Sequence, residues 1–195
     1  MKTKVMIAVA ILAMSAVNVF AQENEKRFGI ELSGGVSFAT RELGHADLKA
    51  GFGFEGIFHY RFMKHLGVYA GWGWNKFSAN NSFAGSHIDF EETGYVLGLQ
   101  FKHPIGISPV SFYLRAGGLY NHIEIENQAD NNILNTGHGL GWQLAGGVDV
   151  PLGRNWSLTP GVKFNSLSRK MTIEEVTTKL DLNYIQLRVG ILKKF

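Results

Sequence analysis

The sequence predicts an all-β protein, an eight-stranded antiparallel up-and-down transmembrane β-barrel. Three observations favour this fold: apolar and polar residues alternate with a period of two in eight successive stretches, the connections between them alternate between short and long, and charged residues are scarce. Charged residues make up only 18% of the 195 residues, whereas about 25% is typical of a soluble domain. The chain length fits a single domain.

The first residues predict an export signal. Two lysines precede the apolar run VMIAVAILAMSAV, and the small-residue site Val19-Phe20-Ala21 follows it. The run is too short for a membrane-spanning helix, which needs about 20 apolar residues. We therefore expect a secretory signal peptide at residues 1–21, cleaved after Ala21, and a barrel domain at residues 22–195.

Charge and cysteine content narrow the classes of partner. Removal of the signal peptide takes away two lysines and no acidic residue, so the formal net charge falls from +3 to +1. A nearly neutral chain gives no basis for a nucleic-acid partner. The lack of Cys in the sequence excludes disulfides and cysteine-ligated metals, and it is compatible with an oxidising periplasm.

The first four strands each carry a clear apolar face. The first begins at Phe28, where FGIELSGGVSF alternates large apolar residues with Gly, Ser and Glu, as a half-buried strand requires. In the second strand only Ile57 breaks the alternation. The predicted apolar faces are, in chain order, Phe28, Ile30, Leu32, Val36 and Phe38; Phe52, Phe54, Phe58, Tyr60 and Phe62; Leu66, Val68, Ala70, Trp72 and Trp74; and Tyr95, Leu97, Leu99 and Phe101.

The last four strands continue the same period up to the end of the chain. The pattern runs on without a helical break, so we expect neighbouring strands to pair antiparallel. Their predicted apolar faces are Val110, Phe112, Leu114 and Tyr120; Leu140, Trp142, Leu144, Val148 and Val150; Trp156, Leu158, Val162 and Phe164; and Ile185, Leu187, Val189, Ile191 and Phe195.

The connections between the strands alternate in length. Short and long connections therefore gather at opposite ends of the barrel, as they do where periplasmic turns are short and external loops are long. The short connections are residues 63–65, 103–109 and 151–155, and the longer ones are residues 40–48, 78–87, 124–137 and 170–179.

Alternation alone does not decide whether the apolar face meets lipid or a soluble core, because a lipocalin-like barrel has the same period. A soluble barrel would carry many Lys and Glu on the opposite face, yet here that face is rich in Gly and Ser. Aromatic residues of the apolar face also gather at strand ends, as girdles at lipid headgroups do. The expected girdles are Tyr60, Phe62, Phe101, Phe112, Trp156 and Phe195 near the short turns, and Trp72, Trp74, Tyr120 and Trp142 at the other end.

From Phe28 to the C terminus the chain resembles the OmpA-like and OmpX-like group of outer-membrane β-barrel domain proteins. At the end of the chain, RVGILKKF, Arg188, Gly190 and Phe195 match the signal that the barrel-assembly machinery reads in that group. Lys193 departs from it, since an apolar residue is usual two before the end. The resemblance implies a protein of the Gram-negative outer membrane whose partners are outer-membrane lipids and the assembly machinery.

The charged residues of the polar face are expected to meet inside the barrel. An eight-stranded barrel has an interior just wide enough for side chains, and buried charges need partners. We therefore predict a salt-bridge network that plugs the lumen, with a proton or ion path as the alternative. The residues of this predicted network are Glu31, Glu55, Glu92, Arg115, Lys163 and Arg188.

Neither a cofactor nor a metal is expected. GFGFEG at residues 51–56 matches the dinucleotide fingerprint G-x-G-x-x-G, but that motif must open a helix, whereas this segment alternates through to Phe62. Two polar groups at the long-loop rim could in principle bind a metal or form an acid–base pair, and we interpret them as solvated. They are His122, Glu124 and Glu126, and His87 and Asp89.

Three functional hypotheses follow. The favoured one is a non-enzymatic integral outer-membrane protein whose external loops serve membrane integrity, adhesion or the binding of a surface ligand. The second is a narrow channel or transporter. The third is a lipid A-modifying enzyme, which would need a Ser and a His on neighbouring strands of the outer wall. Ser166 and Ser168 end the seventh strand, but no His follows on the eighth, and we expect His138 to lie across the barrel.

Overall fold

The computed structural model describes residues 26–44, 46–82, 85–127, 132–173 and 176–195, and within these ranges the chain is built from strands. No helix in this part of the chain is long and apolar enough to cross a membrane. The predicted signal peptide and its cleavage site lie outside the described residues. The strands are β1 (Phe28–Ala39), β2 (Gly51–Arg61), β3 (Leu66–Ser82), β4 (Gly85–Pro104), β5 (Ser111–Glu126), β6 (Asn132–Asn135), β7 (Gly139–Gly153), β8 (Trp156–Leu158), β9 (Gly161–Ile173) and β10 (Val176–Lys194).

The strands close into a ring of eight antiparallel positions, which confirms the predicted fold. Each strand from β1 to β5 pairs with the next, β5 pairs with β7, β7 with β9, β9 with β10, and β10 with β1. The short strands add no further position to the ring. β6 pairs with the end of β5, and β8 lies between β7 and β10, where it continues the line of β9.

The ring closes where the first and last strands meet. Val36 lies opposite Leu187 in the β1–β10 ladder, and the backbone N–H of Phe195 donates to the carbonyl of Phe28 at 2.9 Å. Gly35 permits this close approach, because a Cβ atom there would lie 1.9 Å from the carbonyl oxygen of Leu187. Closure pairs the free edges of β1 and β10 with each other, and lipid would not tolerate these edges unpaired.

The apolar face predicted from the alternation points outward. Leu97 is 68% exposed on β4 and Leu187 is 54% exposed on β10, although both are large and apolar. Ile57, the residue that breaks the alternation, faces the interior and is buried. We call the outer wall between the two aromatic girdles the membrane band.

The short connections lie where the sequence predicts them, at residues 62–65, 105–110 and 154–155. At the opposite end residues 40–50 form a long connection, and the other three predicted long loops are wrong in extent, because strands occupy most of their described residues. β3 and β4 remain paired up to Ser82 and Gly85, and β9 and β10 up to Ile173 and Val176. Polar residues suggested loops there, but hairpin pairing satisfies the backbone in water as well as in lipid.

These prolonged strands form an external extension, which comprises residues 76–82 of β3, 85–91 of β4, 122–126 of β5 and 179–183 of β10. Its interior is an apolar core rather than a polar lumen. The connection after β1 folds over this core, since Leu43 and Ala46 are fully buried and their backbones exchange hydrogen bonds of 3.0 and 2.9 Å around Gly44. The core contains Leu43, Ala46, Phe77, Ala79, Ile88, Phe90, Ile123, Ile125, Leu180 and Leu182.

Candidate functional site in the lumen

The six charged residues predicted for the lumen all face the barrel interior. They come from β1, β2, β4, β5, β9 and β10, and each occupies an inward position of its strand. None is more than 4% exposed: Glu31, Glu55, Glu92, Arg115, Lys163 and Arg188. Three carboxylates and three cations thus lie inside the barrel wall, where buried charges need partners.

Glu31 accepts from two arginines. Arg115 reaches it with both terminal nitrogens, Nη2 to Oε2 at 2.5 Å and Nη1 to Oε1 at 3.3 Å. Arg188 donates from Nη2 to the same Oε1. The forked contact of Arg115 is the geometry in which guanidinium and carboxylate pair most strongly. The remaining nitrogen of the guanidinium, Nε of Arg115, donates a hydrogen bond to the side-chain oxygen of Gln100 at 2.7 Å.

Glu55 forms the second centre of the network. It accepts from Arg188 Nη1 at 2.8 Å and from Lys163 Nζ at 3.3 Å, so Arg188 bridges the two glutamates. The amide of Gln143 donates to Glu55 at 2.8 Å and accepts from the hydroxyl of Tyr69 at 3.1 Å. Five of the six predicted residues are therefore joined by direct contacts.

Glu92 stands apart from this group and is held by neutral donors. The hydroxyl of Tyr184 donates to Oε2 at 2.8 Å, and the side-chain amide of Asn121 donates to Oε1. Asn165 in turn donates to the Tyr184 hydroxyl at 2.7 Å. The sequence placed Glu92 in the lumen but gave no reason to separate it from the other charges.

Arg169 is a buried cation that the sequence analysis missed. It donates five hydrogen bonds of 2.6 to 3.1 Å to backbone carbonyls of Asn121, Gly139, Leu140 and Ser168. It thereby satisfies carbonyls of β5, β7 and β9 with one guanidinium. The alternation along β9 could have identified Arg169, because it lies on the same inward-facing side of the strand as Lys163.

The three residues of the predicted assembly signal differ in their surroundings. Arg188 belongs to the lumen network, and a Cβ atom at Gly190 would lie 2.5 Å from the hydroxyl of Thr159. Phe195 is 56% exposed on the outer wall. Lys193, which departs from the family pattern, lies over the ring of Trp156 at 4.7 Å and donates to the carbonyl of Arg154 at 3.2 Å.

The outer wall of the external extension is charged. Lys76 contacts Asp89 at 3.1 Å, Glu91 at 2.9 Å and Glu126 at 3.2 Å. Burial alone would lower the pKa of Lys76, but hydrogen bonds to the three carboxylates outweigh it and hold the pKa above its usual value. Trp74 joins the girdle to this cluster, since its indole N–H donates to Glu91 at 2.8 Å.

The histidines at the long-loop rim contact one another and a carboxylate. His122 contacts Glu124 at 3.1 Å and His138 at 3.2 Å, and no group of three or more residues suited to a metal ion is found among the described residues. The expectation that His138 lies across the barrel is wrong, because β7, which begins at the next residue, pairs with β9. Ser168, one of the two serines considered for a pair with His, forms a side-chain hydrogen bond with Asp181.

A closed ring of strands, an apolar outer wall between aromatic girdles and a filled polar lumen define an integral membrane β-barrel protein. The chain belongs to the family of outer membrane protein β-barrel domains, which it matches over residues 7–192. Among curated protein sequences, none matches the chain.

Solved structures of small outer-membrane barrels share the fold. Neisserial surface protein A is 18% identical, with 86% of this chain and 97% of that chain covered and a TM-score of 0.63. OprG from Pseudomonas aeruginosa is 15% identical over 88% of this chain and 97% of its own, with a TM-score of 0.57. Outer membrane protein W of E. coli is 16% identical over 89% and 100%, with a TM-score of 0.52. At these identities the likeness concerns the fold.

Proposed function

We propose that this is a non-enzymatic integral outer-membrane protein whose lumen is closed to ions and whose external end contacts a partner at the cell surface. Its N terminus lies in the periplasm together with the short turns, and the external extension faces outward. The observation that carries the proposal is the double filling of the barrel, with paired charges inside the membrane band and an apolar core above them.

The sizes of the internal cavities support a closed lumen. The cavity between Glu55 and Glu92 measures about 10 Å³, and the one between His59 and Tyr113 also measures about 10 Å³. A cavity of this size holds about one water molecule. A hydrated ion would have to displace the Arg188 bridge and then cross an apolar core, and both steps oppose permeation.

The external extension supports a role in contact rather than transport. Its outer wall carries the Lys76 cluster and polar hairpins, and loops held on a rigid scaffold are frequent binding surfaces. Neisserial surface protein A, which shares the fold, is by name a surface protein. A surface ligand or a neighbouring outer-membrane component is therefore the partner class that we propose.

Conductance in planar bilayers tests the closed lumen. The wild type should give no stable current steps. A variant that combines Glu55→Ala and Arg188→Ala with Phe77→Ala and Phe90→Ala removes the Arg188 bridge and the two largest side chains of the apolar core above it, and it should conduct. Lys179→Ala with Asp181→Ala removes a charge pair outside the lumen and should stay silent. Stable wild-type currents would contradict the proposal.

A further inference from the structure

A pocket of about 310 Å³ opens at the short-turn end of the lumen, below the charge network. Its lining is strongly cationic, and none of the described lining residues carries a carboxylate. Besides Phe28, Gln100 and His59, the pocket is lined by Lys26, Arg27, Arg61, Lys102 and Lys194. Concentrated positive charge in a concave, low-dielectric site attracts an anion.

The charge of the pocket is only partly compensated by the protein. Asp149 pairs with both Lys102 and Lys194, the latter at 2.9 Å, so one carboxylate serves two ammonium groups. Arg27 and Arg61 have other partners, including the carbonyl of Lys26 for Arg61 at 3.3 Å. The excess of positive charge therefore rests on the three lysines and does not depend on the arginines.

His59 points its imidazole into this pocket without a partner. The residue is 8% exposed, and neither ring nitrogen has a hydrogen-bond partner among the described residues. The ring lies against Gly29, where a Cβ atom would be 2.4 Å from Nε2, so the glycine makes room for this orientation. A buried polar group without a partner is rare and calls for an explanation such as a bound ion or water.

Polar groups without a hydrogen-bond partner also lie at the floor of the pocket. A second cavity of about 10 Å³ adjoins His59 and is lined by Tyr113 and Thr159. Neither the hydroxyl of Tyr113 nor that of Thr159 has a hydrogen-bond partner in the described part of the chain. This small cavity is also lined by Asp149 and has room for about one water molecule, which would link the two hydroxyls to an anion bound beside His59 in the larger pocket.

We propose that this pocket binds a phosphate group. Phosphate offers several acceptor oxygens, and Lys and Arg side chains around a pocket match this distribution. The position of the pocket leaves two sources for the group. Phe28 lines the pocket, is 47% exposed on the outer wall and stacks on Tyr60 at 4.9 Å in the girdle, which is the level of lipid headgroups. The phosphate therefore comes from a phospholipid headgroup or from free phosphate.

Two probes distinguish these sources on the full mature chain. Inorganic phosphate is titrated into protein in an uncharged detergent, and binding is followed by calorimetry. Phosphatidylglycerol is then added in mixed micelles, and its ability to displace the bound phosphate is measured. Displacement assigns the site to a headgroup, whereas bound phosphate that the lipid does not displace assigns it to free phosphate. Both outcomes support the pocket.

Matched variants separate the pocket from general electrostatics. Lys26→Gln with Lys194→Gln removes two of the three lysine charges of the pocket, and Lys49→Gln with Lys179→Gln removes the same charge at the external end of the barrel. The first variant should weaken binding by about tenfold or more, since charged hydrogen bonds are lost, and the second by about twofold or less. His59→Leu tests the pocket independently and should also weaken binding, while a heat-modifiability gel verifies that each variant is folded.

The proposal is overturned if the wild type binds neither inorganic phosphate nor phosphatidylglycerol. Equal weakening in the two charge-matched variants would overturn it as well, because the net charge of the protein would then explain the binding. The result is independent of the conductance experiment, since a closed or an open lumen can carry this pocket at its mouth.

Discussion

The membrane band and the external extension are built from the same strands with opposite polarity. On β3, Trp72 is exposed on the outer wall of the band, and Asn75, three residues further along, is polar and faces inward. Directly after it Lys76 faces outward, and the inward Phe77 is fully buried. The strand does not change direction or register at this point. Only the surroundings of the barrel change, from lipid to water.

The difference shows that the solvent outside decides what the barrel holds inside. Lipid accepts the apolar wall of the band, so the polar side chains are inside, where the small lumen forces them to pair. Water accepts Lys76 and its carboxylates, so apolar side chains fill the interior of the extension and are buried as in a soluble protein. One barrel therefore contains two types of core, and each should respond to mutation in its own way.

The largest effect is expected from breaking the polar core. Arg115→Met removes the forked partner of Glu31 and leaves a carboxylate with one guanidinium fewer in a dry space. We expect the free energy of unfolding to fall by about 3 to 5 kcal/mol, because a buried charge loses its compensation. Urea titration of the heat-modifiable fraction measures this loss.

A double variant checks that charge, not packing, causes the loss. Adding Glu31→Gln to Arg115→Met removes the stranded carboxylate and should recover part of the stability, as a double-mutant cycle detects. No recovery would mean that the arginine acts mainly through its contacts with the Tyr113 ring, which lies 4.6 Å from its guanidinium carbon.

The apolar core of the extension should yield an effect of similar size for a different reason. Phe90→Ala leaves a cavity in a close-packed space and should cost about 3 to 5 kcal/mol. Phe58→Ala on the lipid-facing wall loses only the transfer of the ring, about 1.5 to 3 kcal/mol, since lipid fills the gap. Equal losses in the two variants would show that lipid or detergent also enters the extension.

The two regions also differ in how far the sequence predicts them. The outward face of the band follows from a local period of two, and residues such as Leu97 and Leu187 could be assigned without knowledge of any partner. The extension was missed because its pattern is inverted: Phe77 lies among polar residues that resemble a loop. The pairing of the lumen charges depends on strand register, since Arg115 and Glu31 are 84 residues apart and Arg188 and Glu31 are 157 apart.

A charge placed on the outer wall distinguishes lipid from water directly. Leu97→Arg puts a guanidinium near the middle of the membrane band and should cost about 2 to 4 kcal/mol. Asn80→Arg places the same group on an exposed position of the extension and should change stability by less than about 0.5 kcal/mol. Unfolding in lipid vesicles measures both. A similar cost at the two positions would shift the boundary of the membrane band.

The chain end should affect assembly more than stability. Phe195 is one of many outward groups, so its loss from a finished barrel costs at most about 1.5 to 3 kcal/mol. Phe195→Ala should nevertheless lower the heat-modifiable fraction in outer membranes, and Lys193→Phe should raise it, if the assembly machinery reads these residues. Equal assembly of the wild type and a Phe195 deletion would show that the terminal ring is incidental.

The smallest effect is expected for an ion pair in water, which is the counterpart of the Arg115–Glu31 pair in the lumen. Lys179 contacts Asp181 at 2.9 Å on the external extension, and the two side chains are 62% and 35% exposed. The hydrogen bond from Lys179 lowers the pKa of Asp181 below its usual value. Because the folded-state pKa is lowered, the pair stabilises the protein above the ordinary Asp pKa of about 3.9 and loses this contribution as the pH falls through the folded-state value.

Asp181→Asn should therefore cost no more than about 1 kcal/mol at neutral pH, and its difference from the wild type should vanish in acid and shrink in high salt. Urea midpoints of the two proteins across the acid range measure this dependence. A difference that survives below the folded-state pKa would mean that the Asp181 side chain acts through the Ser168 hydroxyl or the hairpin backbone rather than through its charge. In that case the Lys179–Asp181 ion pair itself would contribute little to stability in water, and only the buried Arg115–Glu31 pair would act through its charges.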